Sequence, residues 1–134
     1  MAGTYSLGDF EIGAGATQTG TVITGLAGAL AVTLHARLAV GADGTTVKAY
    51  VQTSLDDGTT WIDIACFAFA TTSAVKVMTV SGLTPRLTPA TPTNAALADN
   101  TALDGTIGDR LRAVVVSTGT YTGSTVLALR AAVR

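Results

Sequence analysis

Apolar and polar residues alternate with a period of two along most of the chain. The clearest run is residues 30–40, in which Leu, Val and Ala alternate with Thr, His and Arg. Residues 47–53 and 75–79 repeat the alternation, whereas residues 61–69 are apolar on both faces apart from Asp63. Alternation is typical of strands with one buried face, and a run that is apolar on both faces predicts a central strand covered on both sides.

Turn-forming residues between these runs predict how the strands connect. Asp43 and Gly44 separate residues 30–40 from 47–53, and an Asp-Gly pair in this context favours a hairpin. Residues 110–117 and 124–133 flank a Gly/Thr-rich turn and predict a C-terminal hairpin. With residues 16–24 as a further strand, the pattern gives seven or eight short strands and no helix. We therefore expect one domain, residues 1–134, with an all-β fold: an antiparallel β-sandwich, for which a jelly roll is one fitting arrangement.

Two segments do not follow the alternation. Residues 1–15 place short apolar positions between glycines, which indicates an N-terminal arm or an edge strand. Residues 83–109 form a long loop rich in Pro, Thr and Ala that holds all three prolines, Pro85, Pro89 and Pro92. Loops of this length are commonly functional or disordered, so the prolines are candidate interface residues.

Composition narrows the classes of partner. Charged residues make up 13% of the 134 residues, about half the usual share. A surface so poor in charge suggests that neighbouring subunits cover part of it, and the alternative is a monomer coated with Thr and Gly. The net charge of −1 and the lack of a basic run indicate no nucleic-acid partner. No apolar run reaches the roughly 18 residues of a membrane span, and the N-terminus does not resemble a secretion signal.

Candidate catalytic and metal-binding groups are few. His35 is the only histidine and Cys66 the only cysteine, so a zinc site with its usual ligands cannot be assembled from them. Cys66 lies in an apolar run and is interpreted as a buried, unreactive side chain. Asp56 and Asp57 lie together in a turn where calcium could bind, but Asp56 is already explained by the hydrogen bonds that it can accept within that turn. We expect no enzyme activity, no catalytic residue, no metal and no cofactor.

The best-specified stretch lies between two predicted strands. Asp56 can accept hydrogen bonds from its own turn, Gly58 can adopt a positive φ, and Trp61 can cover the turn. The pattern Ser-x-Asp-x-Gly-x-Thr-Trp resembles the Asp-box hairpin of sialidases and other β proteins, a resemblance that implies a structural turn away from any catalytic centre. The residues of the pattern are Ser54, Asp56, Gly58, Thr60 and Trp61.

A wider resemblance covers residues 45–134. Residues 50–64, then the Asp-Arg-Leu-Arg strand at 109–112, a Gly/Thr turn and a final strand resemble small virion proteins of tailed bacteriophages and gene-transfer agents. The resemblance implies a structural particle component, assembled in the host cytoplasm. The leading hypothesis is a capsid decoration (cement) protein, forming a trimer or another ring and contacting the major capsid protein or other virion proteins.

Four arginines are candidate contacts to capsid carboxylates. Arg110, Arg112, Arg130 and Arg134 share one phase of the predicted C-terminal hairpin, and the alternative is a solvated face. Two other functions stay open at this point. One is a neck, tail-tube or tail-tip protein, and the other is a carbohydrate-binding β-sandwich module.

Overall fold

The computed structural model describes residues 2–134, and every regular element among them is a β-strand in an antiparallel pair. The predicted all-β antiparallel fold is therefore confirmed. The strands are β1 (Gly3–Glu11), β2 (Thr17–Thr19), β3 (Ala31–Ala39), β4 (Ala42–Asp43), β5 (Thr46–Ser54), β6 (Ile62–Phe69), β7 (Ala74–Ser81), β8 (Thr101–Ala102), β9 (Arg110–Thr118), β10 (Tyr121–Thr122) and β11 (Val126–Val133).

Two packed sheets make the sandwich. The four-stranded sheet has the order β1-β11-β3-β7, and the five-stranded sheet has the order β2-β9-β5-β6-β8. Without the two-residue strands β4, β8 and β10, eight strands remain, and their pairing is nested. The first pairs with the eighth, the second with the seventh, the third with the sixth and the fourth with the fifth. This nested pairing, wrapped into two sheets, is that of a jelly roll.

The core lies between the sheets and uses the alternation seen in the sequence. In β3, every second side chain from Val32 to Leu38 is at most 1% exposed, and the intervening side chains face outward. The apolar cluster is mostly aliphatic, with Phe67 the largest fully buried side chain. Because each strand carries only one apolar stripe, the stripes are buried when the two sheets pack face to face.

Two predicted hairpins are wrong. β3 and β5 flank the Asp43-Gly44 turn but lie in different sheets, as do β9 and β11 at the C-terminus. The local turn does form, since Asp43 and Gly44 have φ of 60° and 87°, but it carries the chain from one sheet to the other. A jelly roll pairs strands that are distant in sequence, and a turn signal reports only the local change of direction.

Three further expectations are resolved by the strand order. Residues 3–11 form β1, an edge strand paired with β11, so the edge-strand alternative holds rather than the free arm. Residues 16–24 contain only the three-residue β2 and an isolated bridge at Ile23. β6 pairs with β5 on one side and the two-residue β8 on the other, and residues 63–67 are all buried, so the prediction of a central strand covered on both faces is confirmed.

The close approach of β5 and β9 generates a prediction at Gly108. A methyl group on Gly108 would overlap the carbonyl oxygen of Ser54, whereas one on Gly13 would meet open space. We expect Gly108→Ala to lower the free energy of unfolding by about 1–3 kcal/mol, because the backbone must move apart. Gly13→Ala is the matched control and should leave it nearly unchanged. Urea unfolding measures both, and equal midpoints would contradict the packing at Gly108.

Candidate interaction surface

The turn between β5 and β6 is closed by side-chain hydrogen bonds. The Ser54 hydroxyl donates to Asp56 Oδ1 (3.0 Å) and accepts from the backbone N–H of Gly58 (2.9 Å). Asp56 Oδ1 also accepts from the backbone N–H of Thr60 at 2.7 Å. Gly58 has a φ of 84°, a conformation that an L-residue resists. These bonds join both ends of the turn and make it a structural hairpin connection.

Arginines of β9 attach this turn to the five-stranded sheet. The guanidinium carbon of Arg112 lies 4.2 Å from the centroid of the Trp61 ring, and that ring lies against Gly58. Arg110 forms ion pairs with Asp57 (3.1 Å) and Asp109 (3.2 Å). Both arginines therefore have contacts within their own chain, and burial lowers the pKa of Arg112 from its ordinary value.

A β-bulge determines which way the side chains of β6 point. Val51 is opposite Ala65 and Gln52 is opposite Asp63, so Ile64 is an extra residue with no partner in β5. Ile64 and Ala65 both belong to the core cluster, and beyond the bulge Asp63 points to the outer face. Without the extra residue, strict alternation would direct the Asp63 carboxylate into the apolar core.

The Asp63 carboxylate anchors the long loop. It is 1% exposed and accepts hydrogen bonds of 2.9 to 3.1 Å from three successive backbone N–H groups, those of Ala95, Ala96 and Leu97. The Thr93 hydroxyl and the Gln52 amide also donate to it, each at 2.8 Å. Successive N–H groups that point at one anion form a nest, which compensates the carboxylate for the water it has lost.

The anchored loop covers the outer face of the five-stranded sheet. Ala95 and Leu97 pack against a small buried cluster of Tyr50, Cys66 and Val114. Cys66 is fully buried, as the sequence predicted, and burial raises the pKa of its thiol. This face of the sandwich is therefore occupied by the chain itself.

The four candidate arginines do not form one surface. Arg110 and Arg112 lie on β9 of the five-stranded sheet, whereas Arg130 lies on β11 of the four-stranded sheet and pairs with Asp9 at 2.9 Å. Arg134 follows β11, and its backbone pairs with Ala31. The prediction that these arginines share one face is wrong, because it depended on a hairpin that does not form.

The three candidate prolines, in contrast, share one exposed segment. Every residue from 83 to 92 is exposed, including Pro85, Pro89 and Pro92. Leu87 is 93% exposed and Leu83 is 67% exposed. Within this segment, the Arg86 side chain donates to the carbonyl of Asp104, later in the same loop, at 2.7 Å. We call residues 83–92 the proline segment.

The outer face of the four-stranded sheet is formed by outward side chains of β1, β11, β3 and β7. His35 lies at its centre, in register with Val77 of β7 and Arg130 of β11. Val75 and Val77 are 57% and 59% exposed.

Among residues 2–134 no cluster of three or more His, Cys, Asp or Glu side chains could hold a metal ion. The same residues contain no helix long and apolar enough to cross a membrane.

Comparisons of the chain with protein-family models, curated proteins and solved structures found no match. The resemblances to Asp-box hairpins and to virion proteins therefore stay predictions.

Sequence reasoning missed the role of Asp63 and Gln52 in holding the loop, although Asp63 was the one polar exception in its apolar run. It also missed the exposed valines of β7, whose alternation looked like that of any half-buried strand.

Loss of the Asp63 charge should release the loop. In Asp63→Asn, one oxygen becomes an NH₂ group that faces backbone donors in either orientation. We expect the free energy of unfolding to fall by about 3 kcal/mol, and protease cleavage within residues 83–109 to become faster. The matched control is Asp99→Asn, which removes an exposed ion pair with Lys48 from the same loop and should cost below about 1 kcal/mol. Equal urea midpoints for the two variants would contradict the anchor.

Acid should weaken the β5–β6 turn in a defined direction. The pKa of the Asp56 carboxyl is lowered from its ordinary value by hydrogen bonds. The donors are first the backbone N–H and the side chain of Thr60, and then the side chain of Ser54. A lowered pKa in the folded state means that the contribution to stability is full above the ordinary pKa and is lost as the pH falls through the lowered one. NMR titration of the Asp56 carboxyl should give a lower pKa in folded than in urea-unfolded protein. Identical values would contradict the hydrogen bonding.

Proposed function

We propose that this chain is a structural virion protein, a capsid decoration protein that binds the head surface through the proline segment. The observation that carries the proposal is that the proline segment is exposed, whereas residues 95–97 of the same loop are held to the five-stranded sheet by Asp63. Prolines fix φ, so an extended proline-rich segment loses little conformational entropy when it binds. Leu83 and Leu87 offer apolar side chains that an apolar groove of a partner can bury.

The architecture and the charge content support the same proposal. Jelly rolls occur in viral capsid proteins, and charged residues are only 13% of this chain. Low charge suits a surface that other chains cover in an assembled particle. A position in the neck or tail would use the same segment against a different partner, so the place of binding must be measured directly.

A carbohydrate-binding module is less well supported. Sugar-binding sandwiches use exposed aromatic rings, and none of the aromatic side chains in the described part of the chain is exposed. Trp61 is already stacked with Arg112, and the hydroxyl of the buried Tyr121 donates to the carbonyl of Ala70.

Particles without this protein provide the test. Added wild-type protein should bind the head surface and raise the temperature at which particles rupture. Leu87→Ser should weaken binding about tenfold or more, since a buried leucine is lost from the interface. Leu55→Ser is the matched control, because Leu55 is 65% exposed but lies in the β5–β6 turn, and should bind normally. The decoration role would be overturned if the rupture temperature of the particles were the same with and without added protein. It would also be overturned if labelled protein bound only to the neck or the tail.

A further inference from the structure

Three of the four sheet edges are blunted in the described part of the chain, and β7 is not. β2 and β8 have only three and two residues. β1 contains a register shift between Ser6 and Gly8 and carries the exposed carboxylates of Asp9 and Glu11. Short strands, bulges and charges are the usual protection against pairing with another chain. β7 has eight residues and no register shift in its pairing with β3.

The hydrogen-bond pattern shows which groups of β7 point away from the sheet. The N–H of Gly82 donates to Leu30, so the even-numbered residues of β7 exchange hydrogen bonds with β3. Consistently, the N–H of Ser81 donates to Asp104 and its carbonyl accepts from Gly105, both on the opposite side. The backbone groups of Val75, Val77 and Thr79 point to that same open side.

The open stretch of β7 has no hydrogen-bond partner within the described residues, although β8 and Asn100 lie near it. Among residues 2–134, no hydrogen bond beyond the sheet reaches the N–H or carbonyl groups of Val75, Val77 or Thr79. Lys76, a residue type that commonly protects edges, is directed elsewhere. Its ammonium donates to Ala68 and Asn100 and lies 5.0 Å from the centroid of the Phe69 ring. The edge therefore presents three free donor–acceptor pairs without a projecting charge.

We propose that β7 pairs with β7 of a second copy, antiparallel about a twofold axis at Val77. In this register Val77 faces its own counterpart, and Val75 faces Thr79 of the other copy. These residues are the ones with free backbone groups, so each facing pair can exchange two hydrogen bonds. The facing side chains are β-branched and exposed, which is a favourable cross-strand combination. Lys76 faces Met78, so no like charges are opposed.

Other strands of a second copy fit this edge less well. The register shift in β1 interrupts the alternation of its outward backbone groups, so a β1–β7 pair would lose bonds beyond Ser6. The proline segment lacks backbone N–H groups at Pro85, Pro89 and Pro92, which leaves at most three consecutive residues able to donate. The self-pairing of β7 is the arrangement that uses every free group. It depends on the edge alone and does not require the proposed virion function.

Two double variants test the register. In the proposed register, position 75 of each copy faces position 79 of the other. Val75→Lys/Thr79→Glu therefore gives two pairs of opposite charges across the twofold axis, whereas Val75→Lys/Thr79→Lys gives two pairs of like charges. Both positions are exposed, and the substitution at Val75, which lies opposite Arg37, is shared, so the variants differ only in the charge at position 79. Sedimentation equilibrium should give the mass of two chains for the wild type. The dissociation constant of the Lys/Lys variant should exceed that of the Lys/Glu variant about tenfold or more.

Hydrogen exchange locates the contact independently of mass. The amides of Val75, Val77 and Thr79 should lose protection on dilution, while those of Lys76 and Met78, bonded to β3, should stay protected. A wild-type chain that is monomeric at every soluble concentration would overturn the proposal. So would a dimer in which the two double variants dissociate equally or these amides do not respond to dilution. A dimer that does not bind particles would leave this inference standing and remove the decoration role.

Discussion

The buried carboxylate of Asp63 is the interaction on which the arrangement of surfaces depends. An isolated charge in a protein interior is costly, and it is tolerated only when hydrogen-bond donors surround it. Here the donors come from the long loop and from Gln52, whose side-chain oxygen accepts in turn from Arg112 at 2.8 Å. The loop is therefore fixed over the five-stranded sheet. Val75 and Val77 on the edge strand β7 and all residues of the proline segment stay exposed.

Much of the strand content could be predicted from the sequence because side-chain periodicity is local information. The alternation in residues 30–40 became β3, and the turn residues from Ser54 to Trp61 closed the β5–β6 connection. Strand pairing is different, since it depends on contacts between distant segments. The signal at Asp43 and Gly44 was correct about the turn and wrong about the hairpin, because each flanking strand finds its partners in a different sheet.

The candidate surface was harder to predict for two physical reasons. A single extra residue at Ile64 reverses the phase of β6, so a period of two cannot show that Asp63 faces outward. The same phase argument grouped Arg110 with Arg130, although the sandwich places them in separate sheets. The three prolines lie together in one exposed segment because they are close in sequence, and their role as an interface stays a prediction. Surfaces made from one short segment can be predicted in this way, whereas surfaces made by packing cannot.

Residue-resolved hydrogen exchange of the wild-type chain tests the central claim most directly. If Asp63 holds the loop, the amides of Ala95, Ala96 and Leu97 should exchange as slowly as those of β5 and β9, which open only when the sheet unfolds. Exchange of these three amides at the rate of a free, solvated loop would contradict the account. It would also mean that the outer face of the five-stranded sheet is available to partners.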